Sequence, residues 1–458
     1  MIKKEQIEIL VRDDLGTLYN LLKNVRGNGE AFDLLSGLGK LPKQFDPNIL
    51  LPFLENDKAN VRLLAIKNLG KLQSDHLINA IVNIAVSDID STVRREAVST
   101  IGRFRKKQYI PHLLQALKDN DPKVAMQAIR GLLVFKTDPL VDKSLRDLID
   151  HPNEMIKEVI SREFADTSIE NEPQNVESKE YLRNVVIQGD VSQVLPFLPS
   201  ECVHLTFTSP PYYNARDYAI YESYEAYLDF LTQVFAEVHR ITVEGRFFVL
   251  NTSPVIVPRL SRSHSSKRYA IPFDIHSRLT QIGWEFIDDI VWMKPEASVK
   301  NRNGGFMQHR KPLGYKPNSV TEYVMVYRKK TEKLIDWNMR QYEQSIVDAS
   351  KVNGSYETTN VLKIDPTFDK VHSAVFPTSL CEKVISYYSF VGDLVYDPFG
   401  GSGTVGKVAN KLNRFFLMTE QNQEYIARMR ETLPGSALFD RTSTKFFTFN
   451  EYKKDIQS

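Results

Sequence analysis

The chain has 458 residues, about three times a common single-domain length, so two or three domains with separate cores are expected and one small stapled domain is excluded. Its 59 Lys and Arg against 57 Asp and Glu leave a net charge of +2. That excludes an acidic tail protein and a uniformly basic nucleic-acid coat, and any polyanion must be met by local patches. Cys202 and Cys381 stand far apart without CxxC spacing or a His cluster, which argues against a disulfide framework and a structural metal and points to a reducing compartment. The N-terminal stretch lacks an apolar h-region, and apolar runs such as 77–86 fall far short of the roughly 20 residues that span a bilayer. A soluble, cytoplasmic protein with no membrane contact is expected.

The first third repeats itself. Val61, Val93, Val124 and Ile156 recur at spacings of 32, 31 and 32 residues, with Ala65, Ala97 and Ala128 following in register. Each unit has an upstream apolar helical pattern, a polar turn rich in Asp, Asn or Pro, and a second helix, a pair that must bury its apolar face on its neighbours. Over about residues 40–165 this resembles HEAT repeats, so residues 1–164 are assigned to an all-α solenoid. The stretch 165–180 has five acids, one Lys and no aromatic residue, too little apolar surface to offset its ordering entropy, and is read as a flexible linker.

From Tyr181 onward short β-rich runs (NVVIQGD, HLTFTSP, RFFVLNTS, DIVWMKP, EYVMVYRK, LVYDPFG, FFLMTEQ) alternate with helical segments. This pattern implies a mostly parallel sheet with helices on both faces, whose ligands sit beyond the carboxyl ends of the strands. Two constellations lie at such ends. In LVYDPFGGSGTVGK an aliphatic run ends at Asp397, a turn carries Phe399, Gly400, Gly401, Ser402 and Gly403, and a helix opens near Thr404. The next strand ends in Glu420, 17 residues after Gly403, where a carboxylate can accept from a ribose diol. No Gly-Lys-Ser/Thr follows, which favours a nucleoside without a phosphate tail. In LTFTSPPYY, Thr208, Ser209, Pro210, Pro211 and Tyr212 follow a strand directly. The two prolines fix the backbone and remove two N–H groups, leaving carbonyl acceptors beside an aromatic platform, a site suited to an exocyclic amine.

Together these segments resemble the beta-class DNA amino-methyltransferases that use S-adenosylmethionine, over about residues 183–432. The resemblance implies a Rossmann-like α/β methyltransferase domain at 181–458. TSPPY is similar to that family's catalytic motif, which assigns Ser209, Pro210, Pro211 and Tyr212 to catalysis. DPFGGSG is similar to its cofactor motif, and Asp190 and the segment HSAVFPTSL resemble further cofactor contacts. The implied cofactor set is Asp190, Thr208, His372, Phe376, Pro377, Asp397, Phe399, Gly401, Ser402, Gly403, Thr404 and Glu420. Met418, Thr419 and Gln421 surround Glu420 where family members often carry Gly before it and Asn or Asp after it, and Gly400 stands where Ala is common. Ser before Pro-Pro-Tyr is more typical of cytosine-N4 enzymes and Asp or Asn of adenine-N6 enzymes, so a site-specific cytosine-N4 methyltransferase of a restriction-modification or related marking system is expected. The same fold working on adenine N6, and a catalytically weak DNA-binding or scaffold protein, are the alternatives. Neither cysteine follows a proline, against a covalent route at cytosine carbon 5.

Duplex DNA, with the target base flipped out, is the expected substrate. Two acid-free loops carry the cations for it: Arg259, Arg262, Lys267 and Arg268 in 253–270, and Lys300, Arg302, Arg310, Lys311 and Lys316 in 297–318. A target-recognition insert is expected at about 331–371. The solenoid, with Arg94, Arg95, Arg103, Arg105, Lys106 and Lys107 in or just after one second helix, either tracks a duplex backbone on solvent-facing side chains or binds a protein such as a cognate restriction endonuclease.

Overall fold

In the computed structural model the described residues are 4–72, 77–164, 175–213, 221–257, 267–299, 312, 319–352, 354, 357–367, 377–433 and 443–457. The chain divides into two compact units, residues 1–168 and 169–458.

The first unit is all-helical. The repeat positions are its core: Val61, Val93, Val124 and Ile156 are fully buried, as are Ala65, Ala97 and Ala128. They lie on the second helices Ala59–Leu72, Ser91–Arg103, Pro122–Leu133 and Glu154–Phe164. The polar turns begin these helices. Asp90 accepts from the Thr92 and Val93 amides, and Asp121 accepts from Lys123 N–H at 2.8 Å, each cap contributing about 1 kcal/mol. Upstream partners include Ile78–Ser87 and a 3₁₀ stretch at Pro47–Glu55, where Pro52 stands inside the turn.

One expectation is corrected here. Arg94 is not solvent-facing: its guanidinium pairs bidentately with Asp119 at 2.8 and 2.9 Å, largely buried, and donates to the Asp88 carbonyl. Arg62, one repeat earlier, pairs in the same way with Asp88. The two pairs tie the second helices Ala59–Leu72 and Ser91–Arg103 to the turn of the repeat that follows each. Arg103, which holds Glu96 and Thr100 of its own helix, and Arg105 are exposed as expected. Arg94→Glu is therefore expected to cost this unit about 3 kcal/mol by leaving Asp119 facing a second anion. Thermal denaturation of Arg94→Glu beside Arg95→Glu, a change at a half-buried position on the same helix, checks it: only the first should melt early.

The second unit contains strands β1 (Val185–Gln188), β2 (Val203–Thr208), β3 (Thr242–Thr252), β4 (Val255–Val257), β5 (Lys267–Tyr269), β6 (Trp284–Met293), β7 (Thr321–Lys329), β8 (Val361–Lys363), β9 (Leu394–Asp397), β10 (Phe415–Glu420) and β11 (Lys445–Thr448). Nine of them make one sheet in the order β11-β1-β10-β9-β2-β3-β7-β6-β8, and β4 and β5 form a separate ribbon. All neighbours in the large sheet are parallel except β7, which runs antiparallel to both β3 and β6. Alternate strand residues feed two cores. Val185, Ile187 and Leu417 pack with the helices Tyr224–Ile241 and Ile271–Ile282, whereas Val186, Leu205, Phe207, Phe416 and Met418 pack with Thr378–Tyr388 and Thr404–Lys411. The mostly parallel sheet covered on both faces, and the helical unit before it, are as expected.

Two segments differ from the sequence reading. Residues 175–180, assigned to the linker, pack on this unit: Ser178 is buried, and the Val176 carbonyl bonds to the His204 ring at 2.7 Å. The other His204 nitrogen accepts from Leu394 N–H at 3.1 Å, which fixes the neutral tautomer, and burial lowers the imidazole's proton affinity. The unit thus begins before Tyr181, because a buried His supplies a donor for a backbone carbonyl that composition alone treats as solvated. Within the segment expected as a recognition insert, helices Ile335–Arg340 and Gln344–Ala349 lie toward the amino ends of the parallel strands. Asn338 bonds Arg328, at the end of β7, and Tyr342 bonds Asp393, just before β9, both at the amino ends of the parallel strands. Only from β8 does that segment return to the opposite edge, where Met293 pairs with Lys363.

Candidate active site

The carboxyl ends of β1, β2, β3, β6, β9 and β10 converge on one edge, and the antiparallel β7 brings its first residues to the same edge. β2 is buried along its whole length and stops at Thr208. The Thr208 hydroxyl donates to Asp397 Oδ1 at 2.6 Å, and Phe399 N–H donates to the same oxygen at 3.0 Å. This pair joins the end of the TSPPY strand to the first residue of the glycine turn. Burial pushes the Asp397 carboxyl up to about 7 against the pull of those two donors, with Glu420 adding to the rise.

A raised carboxyl makes a pH prediction. Between its ordinary value of 3.8 and about 7 the folded state holds the proton more tightly than the unfolded chain, so stability falls as pH rises through that window and stays reduced above it. Asp397→Asn keeps an oxygen acceptor for Thr208 and Phe399 but carries no charge. Unliganded Asp397→Asn protein is expected to unfold at a higher temperature than wild type above pH 7 and to converge with it near pH 4, as melting curves across that range will report.

The glycine turn needs its glycines. Gly401 sits at φ +51° and Gly403 at φ +81°, and a Cβ at Gly403 would lie 3.0 Å from Met429 Cγ. The turn is tied by Gly400 N–H to Thr419 O and by Gly403 N–H to Gly400 O, and the helix Thr404–Lys411 starts directly from it. Ser402 and Thr404 share a hydroxyl contact at 3.2 Å. Glu420 is buried; Gly401 N–H donates to its Oε2 at 2.8 Å and Asn422 N–H to its Oε1 at 2.7 Å. Burial raises its carboxyl and these amides oppose the rise. The carboxylate is thus held by backbone amides at both oxygens, a buried acid at the end of β10 able to accept a hydroxyl such as a ribose carries. Asp190, two residues beyond the Gln188–Glu420 register pair, caps the helix Val191–Val194 with one oxygen and is exposed. Pro377 is buried at the start of Thr378–Tyr388, while His372 and Phe376 lie outside the described residues.

Beyond Thr208, Pro210 is buried and Ser209, Pro211 and Tyr212 are partly so. The sequence reading did not single out the residues that meet this motif. Tyr212 Oη donates to Glu322 Oε2 at 3.1 Å, and Asn251 Nδ2 donates to the same oxygen at 2.7 Å and reaches Ser209 Oγ at 3.4 Å. Lys294 pairs with the other Glu322 oxygen. A signal existed for two of them: Asn251 and Lys294 stand at the carboxyl ends of RFFVLNTS and DIVWMKP, the ends that a parallel sheet turns toward its ligand, whereas Glu322 begins EYVMVYRK and reaches the same edge through the antiparallel run of β7. Burial and the neighbouring Glu322 hold the Tyr212 phenol well above its usual range.

Of the predicted DNA contacts, Lys267 and Arg268 are exposed on the β4–β5 ribbon; Arg259, Arg262, Lys300, Arg302, Arg310, Lys311 and Lys316 lie outside the described residues. The ribbon's Tyr269 packs against Tyr213 and Tyr224, ring centroids 4.9 and 4.5 Å away, so it adjoins the residue after Tyr212. Both cysteines are buried and burial raises their thiols, Cys202 to about 12, which leaves neither as a thiolate nucleophile. Among the described residues no helix is long and apolar enough to cross a membrane.

A mostly parallel sheet with one antiparallel strand, a glycine turn beside an acid-ended strand and a proline-stiffened acceptor motif on the adjoining strand together define a methyltransferase fold. The DNA methylase family model matches residues 203–431, and the HEAT-repeat model matches 47–132 and 78–162. The chain belongs to the DNA methylase family. It is 30% identical over 283 residues to the Type II methyltransferase M.XycI of Xanthomonas campestris pv. cyanopsidis, an alignment covering 55% of this chain and 88% of that protein. It is 30% identical over 272 residues to the Type II methyltransferase M.Cfr9I of Citrobacter freundii, covering 53% and 84%. Among solved structures, a putative DNA modification methylase of Thermus thermophilus in complex with S-adenosyl-L-methionine aligns at 27% identity over 54% of this chain and 92% of that one, with a TM-score of 0.43.

Proposed function

We propose that the protein methylates the exocyclic N4 amine of cytosine within a short sequence of duplex DNA, with S-adenosylmethionine as donor, to mark host DNA against a partner nuclease. The observation that carries this reading is the Thr208–Asp397 hydrogen bond, which sets the amine-accepting motif directly beside the glycine turn. The residues present fit the donor: Glu420 offers a carboxylate acceptor to a ribose, the left-handed Gly401 and Gly403 let the backbone approach it, and Asp190, Asp397, Phe399 and Pro377 border the same edge. S-adenosylmethionine supplies an electrophilic methyl group on a sulfonium.

The chain's own residues prepare the amine. Its lone pair is delocalised into the ring, so Ser209 Oγ and the Pro210 carbonyl must hold the two amine hydrogens and draw the nitrogen toward tetrahedral geometry. The base reaches them only outside the helix, where the Tyr212 ring replaces part of the lost stacking. Lys267 and Arg268 on the ribbon, with the cations of the two acid-free loops, supply phosphate contacts. The uncharged Ser209 favours cytosine over adenine. Nucleoside analysis of DNA from cells expressing the protein tests this: N4-methylcytosine is expected, and N6-methyladenine alone would transfer the activity to the other amine.

A further inference from the structure

We infer that Glu322 is a positioning residue for the transfer step, acting by holding both the Tyr212 hydroxyl and the Asn251 amide that reaches Ser209. The inference rests on the reading of TSPPY as the transfer site. Glu322 opens β7, the one antiparallel strand of the large sheet, and so arrives among the carboxyl ends of its parallel neighbours. There it collects three donors from three separate elements: Tyr212 from the loop after β2, Asn251 from the end of β3, and Lys294 from just beyond β6. The Lys294 ammonium also lies 4.4 Å from the Trp292 ring centroid, so the counter-charge is itself held in place.

The chemistry of an ionised carboxylate decides the rest. It has no proton to give, so every partner must donate to it. The Tyr212 hydroxyl hydrogen is thereby committed to Glu322, and the phenol oxygen is left as an acceptor. Asn251 is oriented by the same carboxylate: its Nδ2 is turned to Glu322 and Ser209, and its Oδ1 is left buried without a hydrogen-bond partner. One anion thus fixes both the Tyr212 hydroxyl and the amide that meets Ser209, within a network in which each hydrogen bond polarises its neighbours.

The test is a double-mutant cycle on the full chain. Glu322→Ala and Tyr212→Phe should each lower the single-turnover methylation rate by about 10²-fold, the range of a preorganised hydrogen bond, while the S-adenosylmethionine dissociation constant stays within about 3-fold. Because both remove the same link, the double variant should be no slower than the slower single. Tyr212→Phe keeps the ring and its packing, so it reports even where Glu322→Ala melts early. Glu322→Gln, which can donate as well as accept, should restore the melting temperature without restoring the rate. Multiplying effects in the double variant, or a Glu322→Gln protein as fast as wild type, would overturn the inference. A wild-type protein that methylates no duplex sinks the reading of the site instead, so the two failures are distinct.

Discussion

Ser209→Ala is expected to lower turnover by about two to three powers of ten while leaving S-adenosylmethionine affinity within about a few-fold. Ser209 takes no part in the Thr208–Asp397 or Gly401–Glu420 bonds, so its loss leaves the glycine turn and Glu420 untouched. What disappears is an acceptor needed mainly as the amine nitrogen pyramidalises, and an interaction of that kind lowers kcat and kcat/KM together. Tyr212→Ala should act in the same direction and additionally weaken retention of the flipped base, since it removes the ring as well as the bond to Glu322. Single-turnover methylation of a duplex carrying the site, with calorimetric binding of the cofactor in parallel, checks both. Full activity in the two variants would remove TSPPY from the catalytic role.

The cofactor turn should respond in the opposite way. Gly401→Val places a β-branched side chain at φ +51°, a conformation that L-residues seldom adopt, and displaces the N–H that orients Glu420. The S-adenosylmethionine dissociation constant is expected to rise at least about 10-fold, equivalent to about 1.4 kcal/mol. Glu420→Ala should weaken binding comparably and also cost about 1–3 kcal/mol of stability, because the Gly401 and Asn422 amides lose their acceptors. Circular dichroism on both variants separates lost affinity from lost fold. Unchanged affinity in folded Glu420→Ala protein would move the ribose contact elsewhere.

The parts of this molecule legible in its sequence are those governed by local periodicity. Val61, Val93, Val124 and Ile156 revealed the solenoid because one buried position per repeat must stay apolar, and the strand-end motifs announced themselves because Pro-Pro and Gly-x-Gly constrain the backbone wherever they occur. Arg94 was misread for the converse reason. A basic residue on a helix looks like a solvated charge until its partner is known, and Asp119 lies 25 residues away. The same holds for Glu322, which meets Tyr212 across 110 residues of chain, and for Tyr342, inside the segment expected as a target-recognition insert, whose bond to Asp393 sets it at the amino ends of the strands. The strands beyond the recognised segment, such as β11, had no motif to mark them.

The bond between Thr208 and Asp397 also bears on how the protein comes into being. Its two ends are 189 residues apart, and the strands that carry them become neighbours only when the central sheet is complete. Pairings of such separation form slowly, because the loop must be closed before the contact rewards it. A nascent chain that has released TSPPY still lacks the strand against which the motif is set, so competence to bind the cofactor should appear late and in a single step. In a refolding experiment, recovery of cofactor binding would then keep pace with the slowest phase of sheet formation.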